Sequence, residues 1–546
     1  MGHPIAEASS MSEPSPLVSA PAPAAAAPGR PDRSLPPWQT YLLAFTASAC
    51  SLIIELVAGR IMAPLIGVSL YTWTSIIGVV LAGISLGNYL GGKLADRFAS
   101  RRTLGLLFLV SGLASLSILF TATALATYKG PTTFPLMARI VLLTAGIFFL
   151  PSCLLGTISP LLVKLTLRDL TRSGDVVGKI YAVSTAGSIL GTFATGFYLV
   201  SLFGTRAIVL GVSLLLFLLA ILFGDWGGRG RAVRWVGPSA LLVAVVVVVG
   251  LLVNSGKLTS DCLRETNYYC IKVNDEEQGG DPVKVLVLDH LVHSYNSLTK
   301  PERLVYGYEF IYAALTEYVV RQQPDQPLRS LFIGGGGYTF PRYVESRYKN
   351  DAVDVIEIDP EVTAVASAHL GLNPNGIIRS LNLDARQAVE EMPAGQIYDV
   401  ILGDAFHGFS VPYHLTTKEF NDKLRSHLSP DGIYMLNIID GRSGDFARSV
   451  ARTLAETFPY VAAIPVVENY TDLVRNTWVL VGANKPIDRE KYLTAAAITP
   501  RPDIAAHLWD GAKLADFVAA GRAILITDSY APVDNLLAPV FEESGL

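Results

Sequence analysis

Four glycines and a set of carboxylates in this 546-residue chain have the types and spacing to do chemistry together. Gly334-Gly335-Gly336-Gly337 follows the apolar run Ser330–Ile333. Glu357 and Asp359 close the next apolar run, about 20 residues on, where an acid can accept both hydroxyls of a ribose. Asp384-Ala385 follows a third run, and Asp404 ends a fourth. Glycines after a first strand let a nucleotide-sized ligand approach the backbone. An acid at the third position can accept an adenine amino proton. Any one of these acids taken alone reads as a helix cap. The ordered set reads as a nucleoside site at the carboxyl ends of successive strands. A pyrophosphate fits less well, because the loop lacks dinucleotide spacing and continues into the bulky Tyr338-Thr339-Phe340-Pro341. An adenosyl sulfonium, which has no phosphate, fits better.

The elements needed to position these groups are legible around them. Strand-like runs at Ser330–Ile333, Ala352–Ile358, Ile377–Leu381, Tyr398–Leu402 and Gly432–Ile438 alternate with helical stretches. That order predicts a parallel sheet with helices on both faces. Leu304–Val320 reads as an amphipathic helix, and Val283–Leu288 with Tyr268–Val273 as a small β-hairpin unit. The expected organisation is a disordered Pro/Ala-rich tail over 1–38, a helical membrane domain over 39–256, and a linker with the β unit over 257–300. The α/β domain follows over 301–485 and a C-terminal extension over 486–546. The tail is not read as a signal peptide, since the first apolar run begins only near Trp38.

Composition separates the two halves. Apolar residues make up 51% and charged residues 16%, against roughly 25% charged in a soluble domain. Residues 39–256 hold fifteen basic and five acidic side chains, whereas residues 257–546 hold 26 basic and 39 acidic ones. The net charge of −4 excludes a strongly basic nucleic-acid binder, and four cysteines exclude a disulfide-rich scaffold. Seven apolar segments are long enough to span a bilayer, at 39–64, 71–92, 103–127, 135–163, 178–202, 206–224 and 235–254. Pro151 and Pro160 predict a kink in the fourth. Basic residues cluster after the second, fourth and sixth segments. The positive-inside rule therefore places the tail in the cytoplasm and the C-terminal half outside. Gly83, Gly87, Gly91 and Gly92, like Gly187, Gly191 and Gly196, read as helix-packing positions. Glu55 is an acid within a span, the candidate functional residue of that half, with Arg60 in reach as a partner. The spacing of Cys262 and Cys270 permits a disulfide in an oxidising space, with two unpaired thiols as the alternative.

The C-terminal half resembles the spermidine synthase (polyamine aminopropyltransferase) family. The matching residues are Val285–Asp289, Tyr308-Glu309, Gly334–Gly336, Glu357-Ile358-Asp359, Asp384-Ala385, Tyr398–Asp404 and Leu415–Phe420. The whole chain resembles the membrane-fused branch, in which a half similar to major-facilitator transporters precedes the synthase-like domain. Gly91–Arg97 resembles the facilitator loop between the second and third spans. The resemblance implies a Rossmann-like methyltransferase/spermidine synthase fold with a small N-terminal β unit. It implies S-adenosylmethionine or its decarboxylated form as co-substrate and no metal. By position, Glu357 would hold the ribose, Asp384 the adenine, and Asp404 would take the proton of the attacking amine. The departures lie on the acceptor side. The family's acid in its glycine loop aligns with Gly337, a second acid with His407, and a histidine with Tyr308; Cys270 aligns loosely with a glutamine. Loss of two carboxylates weakens attraction for a dication, and Gly337 is expected to open space for a methionine carboxylate.

The expected function is therefore a membrane-tethered transferase of aminopropyl type, with Asp404 and His407 as catalytic candidates. Gly334, Gly335, Gly336, Glu357, Asp384 and Ala385 are expected at the nucleoside, and Tyr308, Glu309, Gly337 and His407 at a small-molecule amine or other acceptor. Methyl transfer and intramolecular breakdown of S-adenosylmethionine use the same nucleoside half and stay open. So does a transporter or sensor whose C-terminal domain binds a nucleoside or polyamine without turning it over. The expected setting is the plasma (inner) membrane, with the lipid bilayer as a partner, no nucleic acid, and a homodimer compatible with it. His414 and His427 read as helix and surface residues. Ile526–Asp534 reads as either a cover for the site or a docking tail.

Overall fold

The computed structural model describes residues 35–126, 134–167, 169–226, 261–406, 408 and 411–543, with isolated positions between 243 and 254. Its N-terminal half holds five helices long and apolar enough to cross a membrane: Pro37–Ile66, Leu70–Phe98, Arg101–Leu125, Met137–Thr166 and Ser173–Phe223. Seven separate spans are therefore not seen. The segments expected at 178–202 and 206–224 form one helical run of 51 residues, interrupted at Gly204 with φ 74°. A left-handed φ is the kind of break that glycine accommodates without steric cost. The seventh segment lies largely outside the described residues, as do the tail over 1–34 and His407.

Close packing explains the glycine spacing. A Cβ on Gly87 would fall 2.0 Å from the Cys153 carbonyl oxygen, and one on Gly187 would fall 2.2 Å from that of Phe45. Gly83, Gly91 and Gly191 face neighbouring backbone in the same way, whereas Gly92 and Gly196 face open space. In the fourth helix a π segment, Ala145–Phe149, precedes Pro151. Proline has no N–H to give the preceding turn, so the ladder changes register there.

The small β unit is larger than the expected hairpin. It is a four-stranded antiparallel sheet of β1 (Arg264–Glu265), β2 (Cys270–Gln278), β3 (Asp281–Leu288) and β4 (Leu291–Asn296), in that order. Gly279 and Gly280, both with positive φ, make the two-residue turn between β2 and β3. The main sheet has seven strands: β5 (Leu328–Ile333), β6 (Asn350–Ile356), β7 (Ile378–Leu381), β8 (Tyr398–Gly403), β9 (Leu428–Asp440), β10 (Tyr460–Pro465) and β11 (Asn476–Ala483). Their order is β10-β11-β9-β8-β5-β6-β7, with β5 to β9 parallel and β10 and β11 antiparallel. This is the Rossmann-like arrangement of methyltransferases and spermidine synthases. Successive strands are laid down on one side of β5 (β6, β7) and then on the other (β8, β9). The topological switch therefore lies beside β5, where open α/β sheets bind ligands.

Candidate active site

The strand ends bring the sequence-predicted acids together because the parallel register is continuous across them. Ile333 pairs with Gly403, so the glycine loop after β5 and Asp404 after β8 emerge side by side. The Asp404 N–H donates to the Ile333 carbonyl at 2.8 Å, and that of Gly334 to Ile356 at 2.8 Å. Gly334 has φ 96°, and a Cβ on it would fall 2.4 Å from the Asp404 carbonyl oxygen. Only glycine fits there.

Two cavities meet at this junction and share Gly334, Gly336, Asp404, Phe406 and His293. The smaller, about 100 Å³, is lined by Glu357, Asp384, Ala385, Tyr268, Tyr269 and His414. The larger, about 490 Å³, is lined by Tyr308, Glu309, Tyr312, Phe340, Arg475 and Gly337 among others. Of the residues expected at a nucleoside, Gly334, Gly336, Glu357, Asp384 and Ala385 line the first cavity, whereas Gly335 lines only the second, together with Tyr308, Glu309 and Gly337 expected at an acceptor.

In the smaller cavity Glu357 is almost fully enclosed, at 6% exposure. Its Oε2 accepts from the N–H groups of Gly335 at 2.8 Å and Gly336 at 3.2 Å, and its Oε1 from that of Asp359 at 3.0 Å. Burial raises its pKa, while these three donors hold it down. Two ionised carboxylate oxygens offer about four acceptor positions, so capacity for ribose hydroxyls is left. Asp384 caps the helix Ala385–Glu390, accepting from Arg386 N–H at 2.9 Å. Its other oxygen meets His414 Nε2 at 3.1 Å. His414 is therefore a residue of the site and not the simple helix or surface residue expected from sequence. Its signal, a histidine after the loop that follows Asp404, is visible only once the strand order β8-β5-β6-β7 is set.

At the junction Asp404 Oδ1 accepts from Asn437 Nδ2 at 2.8 Å. The Tyr312 hydroxyl approaches the same carboxylate without reaching hydrogen-bond geometry. Burial pushes the Asp404 carboxyl up to about 6, against the stabilising effect of Asn437 and Tyr312. Asn437 and His293 were not anticipated. Neither belongs to a local motif: Asn437 arrives on β9 of the main sheet and His293 on β4 of the small one.

In the larger cavity, Tyr306, Tyr308 and Tyr312 form an aromatic wall with ring centroids 5.2 and 5.4 Å apart. Glu309 Oε2 accepts from the N–H groups of Val305 and Tyr306, both at 2.9 Å, fixing the start of helix Gly307–Gln322. Burial pushes its carboxyl up to about 7. Two sequence expectations need correction here. The space expected at Gly337 is taken: a Cβ there would fall 1.8 Å from Ser294 Oγ and 2.6 Å from Asn296 Oδ1. Tyr338 does not crowd the loop's open side. With φ 56° it turns inward, fully buried, and its hydroxyl bonds Thr363 at 2.9 Å and Ser380 at 3.0 Å.

No protein-family model matches the chain. The polyamine aminopropyltransferase of Vibrio vulnificus is 36% identical over 113 residues, covering 20% of this chain and 38% of that protein. The polyamine aminopropyltransferase of Oceanobacillus iheyensis is 23% identical over 460 residues, covering 75% of this chain and 78% of that protein. The chain is thus similar to polyamine aminopropyltransferases. It spans less than half the length of the first of these relatives. A probable spermidine synthase from Corynebacterium glutamicum aligns with 48% of this chain and 95% of its own, with 21% identity and a TM-score of 0.42. Among the described residues, no group of three or more His, Cys, Asp or Glu is placed to hold a metal ion.

The N-terminal candidate behaves differently. Glu55 is half-buried on the first helix and has no hydrogen-bond or ion-pair partner among the described residues. Arg60 does not pair with it and reaches instead into the C-terminal half. Cys262 and Cys270 are joined in a disulfide, and Cys50 and Cys153 are free. The tail segment docks and does not cover the cavities. Asp528 accepts from Arg386 Nη1 at 2.7 Å and Nη2 at 2.6 Å.

Proposed function

We propose that this chain is a membrane-tethered transferase that moves an alkyl group of aminopropyl type from an adenosyl sulfonium to an amine. The observation that carries the reading is the position of Asp404 where the two cavities join. A donor held through Glu357, Asp384 and Ala385 presents its sulfonium-linked carbon toward this junction. An ammonium has no lone pair, so the acceptor must lose a proton before attack. Asp404 takes that proton. The amine nitrogen then forms the new N–C bond, the C–S bond breaks, and its electrons stay on sulfur in methylthioadenosine. His407 is proposed beside Asp404 on the acceptor side, with Tyr308 and Glu309 on the cavity wall.

The acceptor cavity favours an amine of low positive charge. It carries Arg475, and its two acids, Glu309 and Asp404, are both shifted toward neutrality. A diprotonated diamine gains less there than it would between two ionised carboxylates.

The setting follows from which ends of the helices meet the C-terminal half. The 67–70 connection and the Gly204 break lie against it. Lys164 bonds Asp96 at 2.9 Å at the opposite end, where Arg97, Arg101 and Arg102 also lie. Basic residues face the cytoplasm. This supports an active site on the outside, a placement that the Cys262–Cys270 disulfide also favours.

The test is product analysis. Purified full-length protein is incubated with S-adenosylmethionine or its decarboxylated form, with and without an amine, and the products are read by mass spectrometry. Methylthioadenosine formed only with an amine supports the proposal. S-adenosylhomocysteine assigns methyl transfer instead, and methylthioadenosine without acceptor assigns lyase chemistry. Binding without turnover, unchanged in Asp404→Asn, assigns a sensor.

A further inference from the structure

The turn between β1 and β2 is gripped by the helical half from two sides. From the helix Pro37–Ile66, Arg60 sends Nη1 to the Tyr268 carbonyl at 2.5 Å and Nη2 to the Thr266 carbonyl at 2.9 Å. In the other direction, Glu265 reaches the Gly204 break. Its Oε2 accepts from the Thr205 N–H at 2.8 Å and its Oε1 from the Thr205 hydroxyl at 2.6 Å. A carboxylate at that position satisfies N–H groups that a restarting helix leaves without intrahelical partners. A cation of the helical half thus enters the C-terminal half three residues from where an anion of the C-terminal half leaves it.

The same turn is a wall of the nucleoside cavity. The Thr266 hydroxyl oxygen accepts from the N–H groups of Tyr268 at 3.0 Å and Tyr269 at 2.9 Å. It donates to Asp359 Oδ2 at 2.6 Å. The Asp359 N–H in turn donates to Glu357 Oε1. Tyr268 and Tyr269 line the cavity beside Glu357 and Asp384. The Tyr269 hydroxyl also donates to the Phe406 carbonyl at 3.1 Å, two residues beyond Asp404. An unbroken chain of hydrogen bonds therefore runs from Arg60 to the acid expected at the ribose. The Arg60 charge also offsets the effect of burial on Asp359.

We infer that Arg60 is a positioning residue for the nucleoside cavity, so that ligand occupancy and the packing of the helical half are coupled through the 264–270 turn. The inference rests on the nucleoside reading of that cavity. Its thermodynamic content is reciprocal: if Arg60 favours the ligand-binding form of the turn, ligand must tighten the contacts of Arg60 and Glu265 by the same factor. An anchor serving only to join the halves would lack this reciprocity.

The experiment uses the full chain in lipid nanodiscs, with methylthioadenosine as the probe. Binding is measured by calorimetry for wild type, Arg60→Gln and Arg60→Lys, and hydrogen exchange is followed with and without the probe. Arg60→Gln is expected to raise Kd about tenfold. Arg60→Lys, which keeps the charge and can donate to both carbonyls, should recover most of that loss. In turnover, KM for the sulfonium should rise in Arg60→Gln while kcat stays within about twofold. In the wild type, ligand should slow exchange in peptides spanning 57–66 and 203–210, and in Arg60→Gln this slowing should disappear. Should Arg60→Gln not fold, Glu265→Ala removes the acceptors on the other side of the same turn and carries the same expectations. Wild type that binds while the variant binds equally, with equal exchange, overturns the inference alone. Wild type that binds no nucleoside overturns the reading on which it rests, and the inference with it.

Discussion

Asn437 donates from Nδ2 to Asp404 Oδ1 across adjacent parallel strands, at 2.8 Å. This single bond anchors one oxygen of the carboxylate at the junction of the two cavities. It also opposes the burial that pushes Asp404 up to about 6. The base is thus held near the acidity at which it can both take and release a proton close to neutral pH.

Asp404→Asn should lower turnover by on the order of 10²–10⁴ while methylthioadenosine still binds. In the wild type, kcat/KM should fall tenfold per pH unit below about 6. Asn437→Ala removes a donor to the charged form, so this limb should move to higher pH. A limb that stays in place in Asn437→Ala would remove Asp404 from the role of base.

The same shift has a stability sign. Folding raises the Asp404 carboxyl from its ordinary 3.8 to about 6, so the folded state holds the proton more tightly than the unfolded chain does. Stability from this group therefore falls as pH rises from about 4 to 6, and the penalty persists above. Asp404→Asn should melt higher than wild type at pH 7.5, by up to about 3 kcal/mol, with the difference vanishing near pH 4. Thermal melts at the two pH values measure it.

His414→Ala should weaken methylthioadenosine binding several-fold, because the ring bonds Asp384 at 3.1 Å and lines the same cavity. Losing a partly exposed hydrogen bond to a charged group corresponds to about 1–2 kcal/mol. Calorimetry should show the loss in Kd with no change in the pH limb assigned to Asp404. An unchanged Kd would make His414 a bystander.

Gly337→Asp, the change that restores the acid expected from the family resemblance, should fail to create a diamine site. Its Cβ collides with Ser294 and Asn296, so the variant should be destabilised by about 2 kcal/mol or more. Gly337→Asp with Ser294→Gly should melt above Gly337→Asp alone. Denaturant unfolding of both variants decides the point.

Reduction of the Cys262–Cys270 bond should loosen the 262–270 segment and lower stability by roughly 2–3 kcal/mol, the size expected for so short a loop. Thiol labelling of protein taken directly from cells should modify Cys50 and Cys153 only after unfolding, and Cys262 and Cys270 only after reduction. Free thiols at 262 and 270 would contradict the outside placement of the active site.

Much of the C-terminal half was legible because its signals are local. Strand period, glycine punctuation and an acid at each strand end lie within a few residues of one another. The structure brings Glu357, Asp384 and Asp404, which these signals single out, to one sheet edge. What escaped was non-local. Arg60 looked paired with Glu55 because both lie on one helix, yet its acceptors are carbonyls more than 200 residues away. β10 and β11 were missed because antiparallel edge strands follow no βα alternation. His414 and Asn437 sit on ordinary-looking segments, and only the strand order β9-β8-β5-β6-β7 brings them to the acids. In the helical half, hydropathy located the apolar segments but could not tell a loop from the single-residue break at Gly204.

The second helix of the N-terminal half begins at Leu70, whose N–H is accepted by Asp534 Oδ2 at 3.0 Å, with the Tyr71 hydroxyl on Asn535 at 3.0 Å. These partners lie 464 residues apart in the chain. The side chains that complete the first turn of this helix are therefore translated long after the helix itself, and the turn stays without them until the two distant segments meet.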